Sequence, residues 1–111
     1  MKKKYKVLWT DVAEKDLVDI IEYIAEDSPE TALQVMSMLR DKVSQLFFYP
    51  ERGRIVPELH HQGISKYREL VIPPWRVMFR ISENTVYVLS VIDSRRNVED
   101  ILLRRVLGER I

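Results

Sequence analysis

The fold is decided by KYRELVIPPWRVMFRISENTVYVLSVIDSRR, residues Lys66–Arg96. Three β-strand patterns follow one another in this stretch, at Tyr67–Ile72, Trp75–Ile81 and Val86–Ile92. Pro73 and Pro74 separate the first two patterns, because proline donates no hydrogen bond to a neighbouring strand. The polar run Ser82–Thr85 separates the second and third patterns. The stretch therefore predicts a three-stranded antiparallel meander.

The middle strand pattern alternates between two kinds of side chain. One face carries the apolar residues Trp75, Val77, Phe79 and Ile81, and the other carries Arg76, Met78 and Arg80. Such alternation is typical of a strand that is buried on one side only. We therefore expect the face with Arg76 and Arg80 to be open to solvent or covered by a partner, and to form the working surface.

Two amphipathic helices are predicted before the meander. An acid three residues after Asp11 favours a helix start at Asp11, and the apolar periodicity runs to about Asp27. Ser28 is a good N-cap and Pro29 suits the first helical position of a second helix, which extends to about Phe48. Because the connection is so short, the two helices should form an antiparallel hairpin.

Shorter elements complete the predicted fold. Tyr5–Trp9 is a strand pattern, Glu51–Ser65 is expected to be a loop, and Asn97 can cap a short last helix that Gly108 ends. We predict one α+β domain over residues 1–111. Its antiparallel sheet consists of the N-terminal strand and the C-terminal three-strand meander, and it packs on the N-terminal helical hairpin.

Composition excludes several classes of function. The chain has no cysteine, so it offers neither a disulfide nor a thiolate site. No apolar run approaches the roughly 20 residues that span a bilayer, and no apolar segment follows the basic start MKKK as in a signal peptide. The adjacent His60 and His61 lack partners at metal-binding spacing. We expect a cytoplasmic protein without membrane contact, metal or cofactor.

The net charge of +1 is unevenly distributed along the chain. Residues 11–51 contain three basic and ten acidic residues, whereas residues 52–96 contain eight basic and four acidic residues. This separation indicates a sheet that faces an anion and an acidic helical back. The alternative is that each set is only the solvated face of its own element.

The order of the elements and several short motifs resemble the RelE/ParE family of small bacterial toxins from type II toxin–antitoxin operons. The motifs follow the helical hairpin as PERGR at 50–54, PEL at 57–59, YREL at 67–70, WRVMFRI at 75–81 and VLSVIDSRR at 88–96. The resemblance covers nearly the whole chain. It implies a toxin that is neutralised by a cognate antitoxin, whose C-terminal segment wraps the toxin and through which oligomers form.

The resemblance implies one of two targets. RelE-like members are mRNA interferases that cut messenger RNA in the ribosomal A site, and ParE-like members inhibit DNA gyrase without cutting nucleic acid themselves. Metal-independent RNA cleavage needs a base for the 2′-hydroxyl, cations for the phosphate and an acid for the leaving oxygen. Each of these requirements can be compared with the residues of this chain.

The family's cationic positions are present. Arg76 matches the phosphate-binding arginine of the middle strand, Arg68 matches a basic position of the RelE kind, and Arg95 or Arg96 lies near the arginine that follows the last strand. We expect the binding surface for target or antitoxin to comprise Arg68, Arg76, Arg80, Arg95 and Arg96. An acidic antitoxin segment should lie over the face that carries Arg76 and Arg80.

The family's acid and base positions are not matched. Ile101–Leu103 stand where RelE-like nucleases have a tyrosine or a histidine–tyrosine pair, and Leu70 replaces a second basic residue. Val56 stands at the position of the glutamate base, which leaves Glu58, Glu69, His60 and His61 as substitutes. These departures favour a ParE-like inhibitor of gyrase. A RelE-like endoribonuclease with Arg68, Arg76 and Arg95 in its site is the alternative, and a non-toxic protein-binding module is a further one.

A structural role is also possible for two of the arginines. Arg80 and Arg95 are close in sequence to Glu83 and Asp93, with which they can form surface ion pairs. Such pairs contribute only about 0–1 kcal/mol to stability.

Overall fold

The computed structural model describes residues 4–108, which form a five-stranded sheet and four α-helices. The strands are β1 (Lys6–Trp9), β2 (Arg54–Ile55), β3 (Tyr67–Ile72), β4 (Trp75–Ser82) and β5 (Thr85–Asp93). The helices are α1 (Asp11–Asp27), α2 (Pro29–Ser44), α3 (Pro57–His60) and α4 (Val98–Leu103). Two 3-10 turns, Gln45–Phe47 and Pro50–Arg52, and a π-helical turn, Arg104–Gly108, complete this part of the chain.

The strands lie in the order β1-β5-β4-β3-β2. The meander of β3, β4 and β5 is antiparallel, as the sequence predicts, and β2 adds a short antiparallel edge. The N-terminal strand β1 instead lies parallel to β5, so the sheet is mixed rather than wholly antiparallel. Two parallel strands need a long connection between them. Between β1 and β5 this connection consists of the helical hairpin, the segment with β2 and α3, and the strands β3 and β4.

The helical hairpin forms as predicted, and side-chain caps set the start of each helix. The Thr10 hydroxyl accepts a hydrogen bond from the Ala13 N–H and donates one to the Val88 carbonyl, so α1 is capped by Thr10 and not by Asp11. Ser28 caps α2 by accepting from the Thr31 N–H. These caps satisfy N–H groups that lack partners within the helix.

The hairpin packs on the apolar face of the meander. The buried residues of this first core include Leu17, Leu39, Val43, Leu46, Val77, Phe79, Val86 and Val88. This is the face that the alternation in β4 predicts to be buried. Burial of such side chains, at about 1.5–3 kcal/mol each, is the main term that holds the hairpin against the sheet.

The opposite face of the sheet is not open, which corrects the expectation from the sequence. A second core covers it, in which Val56, Leu59, Val98 and Leu102 pack on Tyr67, Met78, Leu89 and Ile92. The covering residues belong to the predicted loop, which contains β2 and α3, and to α4. The chain thus covers with its own segments the surface that we expected an antitoxin to occupy.

A bulge in β5 contributes to this second core. Met78 pairs with Ser90 and Phe79 pairs with Val88, so Leu89 is an extra residue without a Cα partner in β4. Leu89 is buried in the second core. A bulge of this kind re-aims side chains locally, and here it adds a large apolar group to the face that carries Arg76.

No helix within residues 4–108 has both the length and the apolar composition needed to cross a bilayer.

Candidate functional site

Arg76 lies at the centre of a network of charged side chains on the face of the second core. Its Nη1 and Nη2 atoms donate to the two carboxylate oxygens of Glu58, each at 2.6 Å. Its Nε and Nη2 atoms donate to the two oxygens of Glu69 at 2.7 and 2.9 Å. Arg54 Nε donates to Glu69 at 2.7 Å. Two acids and two bases are therefore bound to one another.

The network is largely withdrawn from water. The Arg76 side chain is 10% exposed and that of Glu69 is 2% exposed. Hydrogen bonds from Arg76 lower the pKa of Glu58, although partial burial of the carboxylate opposes this effect. The same bonds raise the pKa of Arg76. Because Glu58 belongs to α3, Arg54 to β2 and Glu69 to β3, the network fastens α3 and β2 to the sheet.

Arg68 lies on the other side of the sheet from Arg76. It pairs with Phe79 across the β3–β4 ladder, and Arg76 pairs with Val71. Arg68 Nη1 donates to the carbonyl oxygen of Gly53 at 2.8 Å. The structure therefore separates the two arginines with the best match to the family's cationic positions.

Gly53 lies against the sheet so closely that a side chain has no room. A Cβ atom placed on it would be 2.5 Å from the ring of Phe79 and 2.9 Å from the backbone oxygen of Glu69. Glycine therefore allows this close approach, which sets the carbonyl where Arg68 reaches it.

The other three predicted arginines have different surroundings. The Arg80 guanidinium lies 5.0 Å from the ring centroid of Tyr87, a cation–π contact rather than the expected pair with Glu83. Arg95 pairs with Asp93, as the structural alternative predicts, and lowers the pKa of Asp93 to about 2. The Arg96 side chain is exposed, and its positive charge contributes to the lowered pKa of Asp93.

A second, partly buried ion pair joins distant parts of the chain. Arg105 Nη1 and Nη2 donate to the two carboxylate oxygens of Asp16, at 2.7 and 2.9 Å, and Nη1 also donates to Ser90 Oγ. Asp16 accepts a further hydrogen bond from the Val91 N–H. The C-terminal segment is thereby attached to α1 and β5. The sequence analysis missed this pair, because the two residues are 89 positions apart.

The positions that hold acid and base groups in RelE-like nucleases serve packing here. Val56 and Leu102 are buried in the second core, and Ile101 and Leu103 pack against it. His60 is exposed and its Nδ1 lies 3.0 Å from Ser65 Oγ. Within the part of the chain that the structure describes, no three His, Asp or Glu side chains gather as they would around a metal ion.

The chemistry open to Glu58 and Glu69 is restricted by these contacts. A general base must accept a proton from the reacting group, and hydrogen bonds donated to a carboxylate make it a weaker base. All four oxygens of the two acids already accept hydrogen bonds from arginine. The arrangement therefore holds elements together, and none of the oxygens of Glu58 and Glu69 is without an arginine partner.

The chain matches known toxins over most of its length. A sequence model of the family described as "ParE toxin of type II toxin-antitoxin system, parDE" matches residues 7–98. Toxin RelE2 of Caulobacter vibrioides is 30% identical over 92 residues, which cover 82% of this chain and 97% of that protein. The putative toxin Y4kP of Sinorhizobium fredii is 30% identical over 99 residues, which cover 87% and 96%.

Solved structures share the fold. A chain of the chromosomal ParDE toxin–antitoxin system from P. aeruginosa aligns with a TM-score of 0.67 at 22% identity, covering 81% of this chain and 96% of its own length. A chain of the toxin–antitoxin complex RelBE2 from Mycobacterium tuberculosis aligns with a TM-score of 0.55 at 20% identity, covering 82% and 92%. With the family model matched over residues 7–98, the chain belongs to the RelE/ParE family of toxins of type II toxin–antitoxin systems.

Proposed function

We propose that this toxin is ParE-like: it inhibits DNA gyrase by binding, cuts no RNA itself and is neutralised by a cognate antitoxin. The observation that carries the proposal is the network around Arg76. This arginine and both candidate bases, Glu58 and Glu69, are bound to one another rather than presented to a substrate.

The network argues against phosphate binding by Arg76. Four of the five N–H groups of its guanidinium donate to carboxylates, so a phosphate bound through two hydrogen bonds would have to replace at least one of these partners. Breaking a buried pair by removing one partner costs about 3–5 kcal/mol, because the other charge stays buried without compensation. A nuclease that depends on Arg76 would therefore have to break part of this network in every turnover.

The network also argues against Glu58 as a general base. Its lowered pKa makes the carboxylate a weaker base at neutral pH, and both of its oxygens already accept hydrogen bonds from Arg76. The general acid is a further difficulty, since Ile101, Leu102 and Leu103 supply no proton. An arginine elsewhere in the site cannot act as the general acid instead, because it releases its proton too slowly at pH 7.

The second candidate function is a RelE-like mRNA interferase. It is supported by the relative named Toxin RelE2, which is 30% identical to this chain. In this alternative Arg68, Arg76 and Arg95 would bind the phosphate, and Glu58 or Glu69 would act as the base after the network opens.

The two candidates differ in what happens after induced expression. We expect DNA breaks, with transcripts that stay uncut at codon edges, when both are measured in the same culture. The matched variant is Glu58→Gln, which retains hydrogen-bonding groups toward Arg76 but removes the base. If the toxin is ParE-like, a folded Glu58→Gln protein stays toxic. Codon-edge cuts by the wild type that disappear in Glu58→Gln would establish the interferase instead.

A further inference from the structure

An exposed aromatic cluster follows α2. Phe47, Phe48 and Tyr49 are consecutive in the chain and are 38%, 41% and 41% exposed. The ring centroids of Phe47 and Phe48 are 4.7 Å apart, and those of Phe48 and Tyr49 are 6.2 Å apart. Contiguous apolar side chains that remain exposed in a folded domain commonly mark a contact with another molecule.

The backbone around this cluster is held in place. The three residues span the junction of the two 3-10 turns, and buried Leu46 and Pro50 flank them on either side. The Tyr5 N–H donates a hydrogen bond to the Phe47 carbonyl at 2.8 Å, which attaches the first turn to the chain just before β1. A surface that is ordered before binding loses little conformational entropy when a partner docks on it. The cluster is therefore preorganised for a contact.

A cavity of about 450 Å³ opens beside the cluster, next to β1, which is an edge strand of the sheet. Its lining is Val7, Ser44, Gln45, Phe47 and Phe48. None of these side chains carries a charge, so the cavity suits an apolar side chain of a partner.

A second cavity of about 160 Å³ shares Gln45 with the first and contains the positive charges of this surface. Lys42 and Arg52 line it together with Tyr49, and both cations are exposed. The Arg52 guanidinium lies 5.2 Å from the centroid of the Tyr49 ring, a cation–π contact. No acidic residue among residues 4–108 lines either cavity. An apolar recess therefore lies beside two positive charges.

We infer that the protein inhibited by this toxin binds to the aromatic surface, by which we mean Lys42, Gln45, Phe47, Phe48, Tyr49 and Arg52. The partner should place an apolar side chain in the cavity beside the two phenylalanines and a carboxylate beside Lys42 and Arg52. Aromatic residues and arginine are enriched among the residues that contribute most of the binding energy at protein interfaces. The inference rests on the proposed function, in which the inhibited protein is DNA gyrase, and it adds the surface through which gyrase is bound.

The geometry favours a protein over a nucleic acid. Successive bases stack on exposed aromatic faces, whereas the rings of Phe47 and Phe48 are nearly perpendicular, at 83°. A groove for a nucleic acid also follows the backbone with a series of cations. The aromatic surface has two cations, Lys42 and Arg52, and an acid directly precedes each of them in the sequence.

Like charges disfavour a second copy of the chain as the partner. In a two-fold symmetric contact the same surface lies on both sides of the interface. Lys42 and Arg52 of one copy would then approach Lys42 and Arg52 of the other, and the described residues supply no carboxylate to either cavity. A separate protein with acidic side chains around an apolar one avoids this repulsion.

The test is inhibition of supercoiling by purified DNA gyrase, with the intact toxin and its variants. We expect Phe48→Ser combined with Arg52→Glu to raise the toxin concentration for half-inhibition by about tenfold or more. Lys42→Glu, a change at an exposed position of α2, should raise it by about threefold or more. The matched controls are Tyr23→Ser and Arg104→Glu, an exposed aromatic residue and an exposed arginine outside the aromatic surface, and both should stay within about twofold of the wild type. A urea midpoint close to that of the wild type identifies the folded variants.

Four results would overturn the inference. The first is half-inhibition by the folded variants within twofold of the wild type. The second is unchanged inhibition with a lost affinity for the cognate antitoxin, which would assign the surface to the antitoxin. The third is unchanged inhibition with lost binding of a single-stranded DNA oligonucleotide, which would make the surface a nucleic-acid site. The fourth is a wild-type dimer in sedimentation that the double variant dissociates, which would assign the surface to a second copy.

Failure of the proposed function gives a different result. If the wild-type toxin arrests growth on induction but leaves gyrase unaffected, gyrase is the wrong target. The aromatic surface then stands if Lys42→Glu and the double variant permit growth while the two controls arrest it, and it is overturned if those variants arrest growth like the wild type. A wild-type protein that neither inhibits gyrase nor arrests growth would overturn both proposals.

Discussion

Replacement of Arg76 by methionine tests the structural role of the charged network. Methionine keeps much of the length of the side chain but removes all four hydrogen bonds that Arg76 donates to Glu58 and Glu69. Glu69 is 2% exposed and would retain only Arg54, whose side chain is 56% exposed. Loss of one partner from such a buried pair costs about 3–5 kcal/mol, because the remaining charge is left without compensation.

The loss is large against the stability of a domain of this size. Folded domains are stable by only about 5–15 kcal/mol, so Arg76→Met should leave a marginal protein. With a urea dependence of about 1.5 kcal/mol per molar, the predicted loss lowers the urea midpoint by about 2–3 M. Unfolding can be followed by the fluorescence of Trp9 and Trp75, both of which are partly buried in the first core.

The matched control is Arg68→Met. Arg68 is also an arginine in the meander, but it donates one hydrogen bond to the Gly53 carbonyl on the opposite face of the sheet. We expect a cost of about 1–2 kcal/mol for its loss. A urea midpoint for Arg76→Met that equals that of Arg68→Met would refute the reasoning, since the network would then add nothing to the fold. If the Arg76→Met protein is stable but no longer toxic, Arg76 contributes to target binding rather than to the fold.

Three further predictions concern neighbouring parts of the same structure. The folded state lowers the pKa of Glu58 below its ordinary value of 4.5, so its contribution to stability is present above that pH and is lost as the pH falls through the lowered pKa. The free energy of unfolding should therefore decrease below about pH 4.5 less steeply in Glu58→Gln than in the wild type, and parallel pH profiles would contradict the lowered pKa. Gly53→Ala should destabilise the fold by about 1–3 kcal/mol in urea unfolding, because the new Cβ meets the ring of Phe79; an unchanged midpoint would show that the ring can move aside. Asp16→Asn removes a charge from the pair with Arg105 and should increase hydrogen exchange in α4, whereas exchange equal to that of the wild type would show that the pair does not hold the C-terminal segment.

Much of the architecture follows from patterns within single elements. The caps at Ser28 and Asn97 and the proline turn at Pro73-Pro74 set the element boundaries at or near the predicted positions. The apolar face of β4 faces the hairpin as its alternation predicts. These features depend on residues close in sequence, and for that reason the sequence specifies them well.

The expectation of an open face was wrong, although the sequence contains a signal for the second core. β5 reads VYVLSVI at 86–92, an almost continuous apolar run. Strands that are buried on both faces have such runs, whereas strands with one solvated face alternate. The alternation in β4, which places Arg76 and Arg80 on one side, predicts an open face instead. Met78, on the same face, is in fact buried in the second core.

The partners of the arginines could not be predicted from the sequence. Arg76 binds Glu58 from 18 residues away, and Arg105 binds Asp16 from 89 residues away. Which acid meets which base depends on how α3 and α4 fold back over the sheet, and no periodicity encodes that arrangement. The predicted cationic surface is therefore distributed over both faces of the sheet.

The most direct test of the proposed function is the supercoiling activity of purified DNA gyrase in the presence of the purified toxin. We predict inhibition at micromolar toxin, and full activity when the cognate antitoxin is added in excess. Uninhibited supercoiling at these concentrations by a folded, antitoxin-free toxin would contradict the proposal.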